Sequence, residues 1–212
     1  MKPHEGQPIL TAGTPLGQSP TVAILLHGRN ATPQDILAIV PVLDRPAVTY
    51  LAPTAANHTW YPYSFLTEIS RNEPDLSSAL WVLETLTASL SAQGITRDHI
   101  VLMGFSQGAC LSTEFAVRHA GRYGGVVGFS GGLIGPPGTS WNYPGSFEGT
   151  PVFLGCSDVD SHIPKERVEE SAEVFTRMGA DVTNRLYPGM GHTVNADEIA
   201  FARGILDGIP RT

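Results

Sequence analysis

The sequence predicts an α/β protein with a mainly parallel central sheet and helices on both of its faces. Short apolar stretches of strand type alternate along the chain with amphipathic stretches at helical spacing. Several of those strands are continuous apolar runs rather than alternating ones, as strands buried on both faces require. A third observation is local: Gly104-Phe105-Ser106-Gln107-Gly108 stands between an apolar strand and a helix.

The elements follow in chain order. Residues 1–20 read as an N-terminal extension or an edge strand. Thr21 to Leu26 is the first apolar strand and Ala47 to Leu51 the second. Leu76, Ala79, Leu80, Leu83, Leu86 and Leu90 recur at helical spacing, and Gly94 is placed to end that helix. His99 to Met103 is the next strand, Ala109 to Val117 a helix, and Gly125 to Phe129 and Pro151 to Gly155 two more strands. Pro164 opens a helix carrying Val168, Ala172, Phe175 and Met178, and Gly179 stops it. Asp181 to Tyr187 is the last strand. The last helix starts near Asn195, with Glu198 three residues on as in a capping box. The chain shows no internal repeat and no low-complexity segment.

At 212 residues the expectation is one domain over 1–212, with no room for a large cap domain. A hydrophobic content of 42% with 16% charged residues describes an ordered globular chain. The net charge of −7, with no Lys/Arg cluster, argues against a nucleic-acid partner. Cys110 and Cys156 are too few for a disulfide framework and read as buried apolar residues. No stretch has the length of a membrane span, and Met1 to Gly6 lacks the apolar core of a signal peptide. A cytoplasmic protein without integral membrane association is the expectation.

In a parallel sheet the ligand crevice lies outside the carboxyl ends of the strands, so chemistry is sought just after strands. Ser106 is the first candidate. Serine more often caps a helix, but strand, G-x-S-x-G and helix together form the context of a nucleophile elbow. A serine nucleophile needs a base, and the base an orienting group. The loop after Pro151 to Gly155 offers Asp158 and Asp160 as carboxylates for a histidine Nδ1–H. Spacing does not choose between them. His192, among glycines after the last strand, stands where the general base belongs. His27, His58 and His162 compete; His27 suggests a structural or oxyanion-loop role, and His162 a supporting one.

Acyl transfer also needs donors for a developing oxyanion. The backbone N–H groups of Gln107 and of Arg29, in His27-Gly28-Arg29-Asn30, are the candidates, and the Arg29 side chain is read as solvated. The histidines lack metal-ligand spacing, and no metal or other cofactor is expected. Two segments have the composition of pocket walls. One runs from His58 to Leu66 and contains Trp60 and Tyr61; the other runs from Gly131 to Tyr143–Pro144 and contains Leu133 and Trp141.

Leu25-Leu26-His27-Gly28, Gly104 to Gly108, Asp160-Ser161-His162-Ile163-Pro164 and Gly189-Met190-Gly191-His192, in this order, resemble the phospholipase/carboxylesterase family of α/β-hydrolases, which includes the acyl-protein thioesterases. The resemblance runs from about residue 20 to the C-terminus. It implies the α/β-hydrolase fold, with Ser106 as nucleophile, Asp160 rather than Asp158 as the acid and His192 as the base. It matches Arg29 and Gln107 to the oxyanion donors and Trp60 to an aromatic beside the site. Arg29-Asn30-Ala31 departs from the family's frequent Leu-Gly-Asp, and Cys156-Ser157 from its His-Gly. Both changes are compatible with the backbone roles, but a substrate is not transferable from the better-known members.

The function expected is hydrolysis of small carboxylic esters with short or medium acyl groups through an acyl-enzyme. A thioesterase or lysophospholipase would use the same groups. A dienelactone-hydrolase-like activity is disfavoured by serine at the nucleophile position, and a non-catalytic ligand-binding role by the presence of all three triad members. A homodimer is an expectation from the resemblance alone.

Overall fold

The computed structural model describes residues 2–210; the remaining ends of the expected 1–212 unit lie outside the described residues. Seven strands form one sheet in the order β1-β3-β2-β4-β5-β6-β7. They are β1 (Ile9–Gly13), β2 (Val22–Leu26), β3 (Thr49–Pro53), β4 (Ile100–Phe105), β5 (Gly125–Phe129), β6 (Pro151–Ser157) and β7 (Asp181–Tyr187). β1 runs antiparallel along β3, and the other neighbours are parallel. The N-terminal segment thus supplies an edge strand, and its alternating exposure fits an edge half open to solvent. β3 starts two residues later than expected because Val48 N–H closes a turn onto Arg45 O. It extends to Pro53 because Ala52 and Pro53 lie opposite Leu10 and Ile9 of β1.

Period-two alternation divides the strands' apolar residues between two cores. Val22, Ile24, Leu26, Leu102, Val126 and Leu154 face one side. Helices α3 (Asp75–Ala92), α4 (Gln107–Arg118) and α5 (Lys165–Arg177) cover it through Leu83, Phe115 and Phe175. Ala23, Leu25, Met103, Val127 and Phe153 face the other side. There they meet Ile36, Leu43, Ile199 and Leu206 from α1 (Pro33–Leu37), α2 (Val40–Leu43) and α6 (Ala196–Asp207). The short α1 and α2 were not expected from apolar spacing. The sequence signal of α1 is local: Thr32 and Asp35 form a capping box around Pro33. Gly94 and Gly179, at φ +86° and +81°, follow α3 and α5 in the left-handed conformation of helix stops.

The longest connections, 54–74 and 130–150, carry two short 3-10 turns and no regular element respectively. Among the described residues no cap domain covers the sheet, and no helix is long and apolar enough to cross a membrane. The strand order reverses between β3-β2 and β4, so the ends of β2 and β4 flank a topological switch point.

Backbone approach is closest where α4 leaves β4. A Cβ on Gly108 would lie 2.1 Å from Leu26 O, and one on Gly104 would lie 2.3 Å from Gly108 O. Gly108→Ala is therefore expected to cost about 2–3 kcal/mol, read by urea denaturation. A variant as stable as its parent would refute this contact.

At the start of α6, Asn195 Oδ1 accepts from the N–H groups of Asp197 and Glu198, while Glu198 Oε2 accepts from Asn195 N–H. Glu198 is fully buried and its Oε1 has no partner. Burial pushes this carboxyl up to about 7. A carboxyl raised on folding stabilises the fold below its unfolded pKa, and that contribution is lost as pH rises through the folded value. The buried His4 and His27, lowered mainly by burial, act oppositely below about pH 6.5. Glu198→Gln should therefore gain stability relative to wild type as pH rises from about 5 to about 7.5. Parallel denaturation profiles across that range would contradict it.

Candidate active site

Four strand ends build the site. β2 and β4 pair with Leu26 opposite Gly104, which sets His27-Gly28-Arg29 beside Ser106. β6 and β7 pair through Ser157 and Tyr187, which brings the Asp158–Asp160 loop beside the loop leading to His192.

Ser106 occupies φ 55° and ψ −120°, a conformation that costs about 1–3 kcal/mol for a residue with a side chain. Its backbone is fixed on both sides: its N–H donates to Phe129 O at 2.9 Å and its carbonyl accepts from Cys110 N–H at 3.0 Å. The side chain makes no capping bond to α4. Instead Oγ lies 2.9 Å from His192 Nε2.

His192 Nδ1 lies 2.7 Å from Asp160 Oδ2. A carboxylate only accepts, so Nδ1 carries the proton and Nε2 is left as acceptor for the serine hydroxyl. The His192 ring stands between Phe105 and His162, at 4.8 Å from each ring centroid, with His162 edge-on. Asp160 has no exposed side-chain surface. Burial alone would raise its pKa. The His192 bond and the N–H groups of His162 and Ile163 on Oδ1 outweigh that effect and hold it below the ordinary carboxylate value. Asp158 faces elsewhere, accepting from Gly189 N–H at 2.8 Å and so tying the two loops together.

The amides of Arg29 and Gln107 donate to no other described residue. The Gln107 amide belongs to the first turn of α4, where an N–H has no intrahelical carbonyl. A Cβ on Gly28 would stand 3.5 Å from Ser106 Cβ, so the two loops are in contact distance. His27 is wholly buried, with Nδ1 on Gly28 O and Nε2 accepting from Ala55 N–H; it shapes this loop. The Arg29 side chain is exposed, as expected, and is also tethered: its guanidinium donates to Pro62 O and Tyr63 O at 2.7 and 2.6 Å.

A cleft of about 510 Å³ opens onto Ser106 and His192. Tyr61, Tyr63, Phe65, Phe105 and Ile163 line it, with Arg29 at its rim. The expected wall segment 58–66 thus supplies Tyr61, Tyr63 and Phe65, and of Trp60, Tyr61, Leu133 and Trp141 it is Tyr61 that lines the cleft. Trp60 is fully buried and holds the loop after β2 from beneath, its indole N–H donating to His27 O at 2.9 Å. Leu133 and Trp141 are buried too, because the 131–144 segment is drawn onto α4 and α5. Arg167 donates to Leu133 O and Gly135 O, Glu114 accepts from Ile134 N–H, and Ser171 accepts from Leu133 N–H. The expected second wall is therefore a packed loop and not part of the cleft.

Sequence reading missed one role near the centre. The Gln107 side chain is 4% exposed; its Oε1 accepts from Trp60 N–H and its Nε2 donates to Tyr61 O. The G-x-S-x-G pattern leaves that position open, so no signal marked it. Cys110 and Cys156 are buried free thiols, and burial pushes each up to about 12, far from a reactive thiolate.

The family model described as Phospholipase/Carboxylesterase matches residues 13–208. The chain is 41% identical to a phospholipase/carboxylesterase of Dyadobacter fermentans whose crystal structure superposes with a TM-score of 0.91, covering 95% of this chain and 97% of that one. Acyl-protein thioesterase 1 of Gibberella zeae is 34% identical over 50% of this chain and 46% of that protein. The Eremothecium gossypii protein of the same name is 30% identical over 68% and 63%. The match thus spans less than two thirds of the length of either curated relative. With the strained serine between β4 and α4 and a family match that runs from β1 into α6, the chain belongs to the phospholipase/carboxylesterase family.

Proposed function

We propose that this chain is a serine hydrolase that cleaves carboxylic esters of short or medium acyl chains through an acyl-enzyme. The observation that carries the reading is the hydrogen-bonded series Asp160 Oδ2, His192 Nδ1, His192 Nε2, Ser106 Oγ at 2.7 and 2.9 Å. In it His192 takes the Ser106 proton as Oγ attacks the acyl carbonyl, and the Arg29 and Gln107 amides receive the oxyanion. His192 then gives the proton to the leaving oxygen, and the C–O bond breaks to leave Ser106 acylated. Water, deprotonated by His192, attacks the acyl carbon; the acid departs and the proton returns to Oγ. Asp160 holds the ring's tautomer and stabilises the imidazolium.

An uncapped cleft walled by Tyr61, Tyr63 and Phe65 supports a preference for short or medium acyl groups. Thioester hydrolysis by the same groups is the second reading, favoured by the likeness to proteins named acyl-protein thioesterase 1.

A fluorophosphonate probe should label the wild type and not Ser106→Ala; an unlabelled wild type would sink the reading. Ester hydrolysis should fall about 10³-fold or more in His192→Ala and on a similar scale in Asp160→Asn. His162→Ala should lose less than about tenfold, since the ring only flanks His192. Equal losses in the two histidine variants would mean that the base is wrongly assigned. Across p-nitrophenyl esters, fastest turnover on long acyl chains would overturn the chain-length preference.

A further inference from the structure

A second groove, of about 580 Å³, adjoins the first at His192. Phe105 and His192 are the two residues that line both. Its other apolar walls are Ile36, Ile39 and Val42 of the α1–α2 region and Val194, Ala196 and Ile199 at the start of α6. Ser106 lines only the first cleft. Of the polar side chains here besides His192, Asp35 accepts from Thr32 at 2.6 and 2.7 Å and Asn195 Oδ1 caps α6, while Thr193 is exposed. What the groove offers a ligand is mainly apolar surface, including Val42 at 52% exposure.

The reaction dictates what belongs there. Once Oγ bonds the acyl carbon and the oxyanion turns to the Arg29 and Gln107 amides, two substituents remain on that carbon. The one that departs must lie within reach of the His192 Nε2 proton. The acyl chain then occupies the cleft on the Ser106 side, and the departing group lies against His192, where the second groove begins. We propose that this groove is the leaving-group subsite and that it takes the alkyl part of an apolar alcohol. In the step concerned the acyl C–O bond breaks, the leaving oxygen takes the Nε2 proton, and the free alcohol retains its chain in the groove until release.

This rests on the proposed serine-hydrolase reading, and the two are separable. With the acyl group fixed as propionyl, kcat/KM should rise about twofold per methylene from the methyl to the butyl ester, as half-burial of each methylene implies. Val42→Glu and Ile39→Thr should flatten that rise while leaving the methyl ester within about twofold of wild type. A flat alcohol series in a Ser106-dependent enzyme would overturn the subsite and leave the function standing. An unchanged slope in both variants would do the same. So would a concentration-dependent dimer, seen by sedimentation, that Val42→Glu dissolves without changing the slope, since a second copy would then cover the groove. Hydrolysis that survives Ser106→Ala would instead overturn the proposed function itself.

Discussion

The structure depends on how closely α4 rests on the end of β2. Gly104 and Gly108 have no Cβ, so the first turn of α4 lies against the Leu26 carbonyl and its neighbour. That contact does two things together. It folds the chain back sharply enough to force Ser106 to a positive φ, and it sets the first N–H groups of α4 beside the loop leaving β2. A larger residue at either glycine would separate Ser106 and the start of α4 from the loop leaving β2. The strain at Ser106 is sustained by two ordinary backbone hydrogen bonds, to Phe129 and from Cys110, so the sheet and the helix together determine it.

Around this contact, buried polar side chains hold the loops in place. Connections without regular structure carry backbone groups that must find partners. Here they find long side chains from elsewhere: Gln107 and Arg29 for 60–63, Arg167 and Glu114 for 133–136, His4 and His27 for 55–60. His4 accepts from Ala56 N–H and reaches Trp60 O, so the residues ahead of the edge strand brace the floor of the site. Glu114, fully buried, has Arg118, Tyr143 and Ile134 N–H as partners, the full complement a buried carboxylate needs.

What sequence could and could not reveal follows from the range of these contacts. The central strands were legible because two-sided burial makes them continuous apolar runs, and Ser106 because strand, glycine and helix adjoin in sequence. Asp160 and Asp158 could not be separated by spacing: both follow β6, and only the folded loops put Asp160 against His192 and Asp158 against Gly189. The wall residues were misjudged for a related reason. Leu133 and Trp141 have the composition of a pocket lining, but Arg167, 34 residues beyond Leu133, draws their loop into the core. No local pattern records a tether at that separation. Trp60 was marked by a resemblance, while its burial is set by His27 and Gln107.

Gln107 has a consequence for how such an enzyme can change. In the proposed mechanism its amide receives the oxyanion, while its side chain grips the backbone of Trp60 and Tyr61. Reaction rate and cleft shape therefore share one residue, and selection cannot adjust one there without disturbing the other. Variation in substrate range would be channelled toward Tyr63, an exposed cleft residue, and toward Val42 and Ile39 across His192. Those side chains can be exchanged while the amides at 29 and 107 stay where the chemistry requires them. Adaptation would thus proceed from the rim inward, and position 107 would be among the last to change.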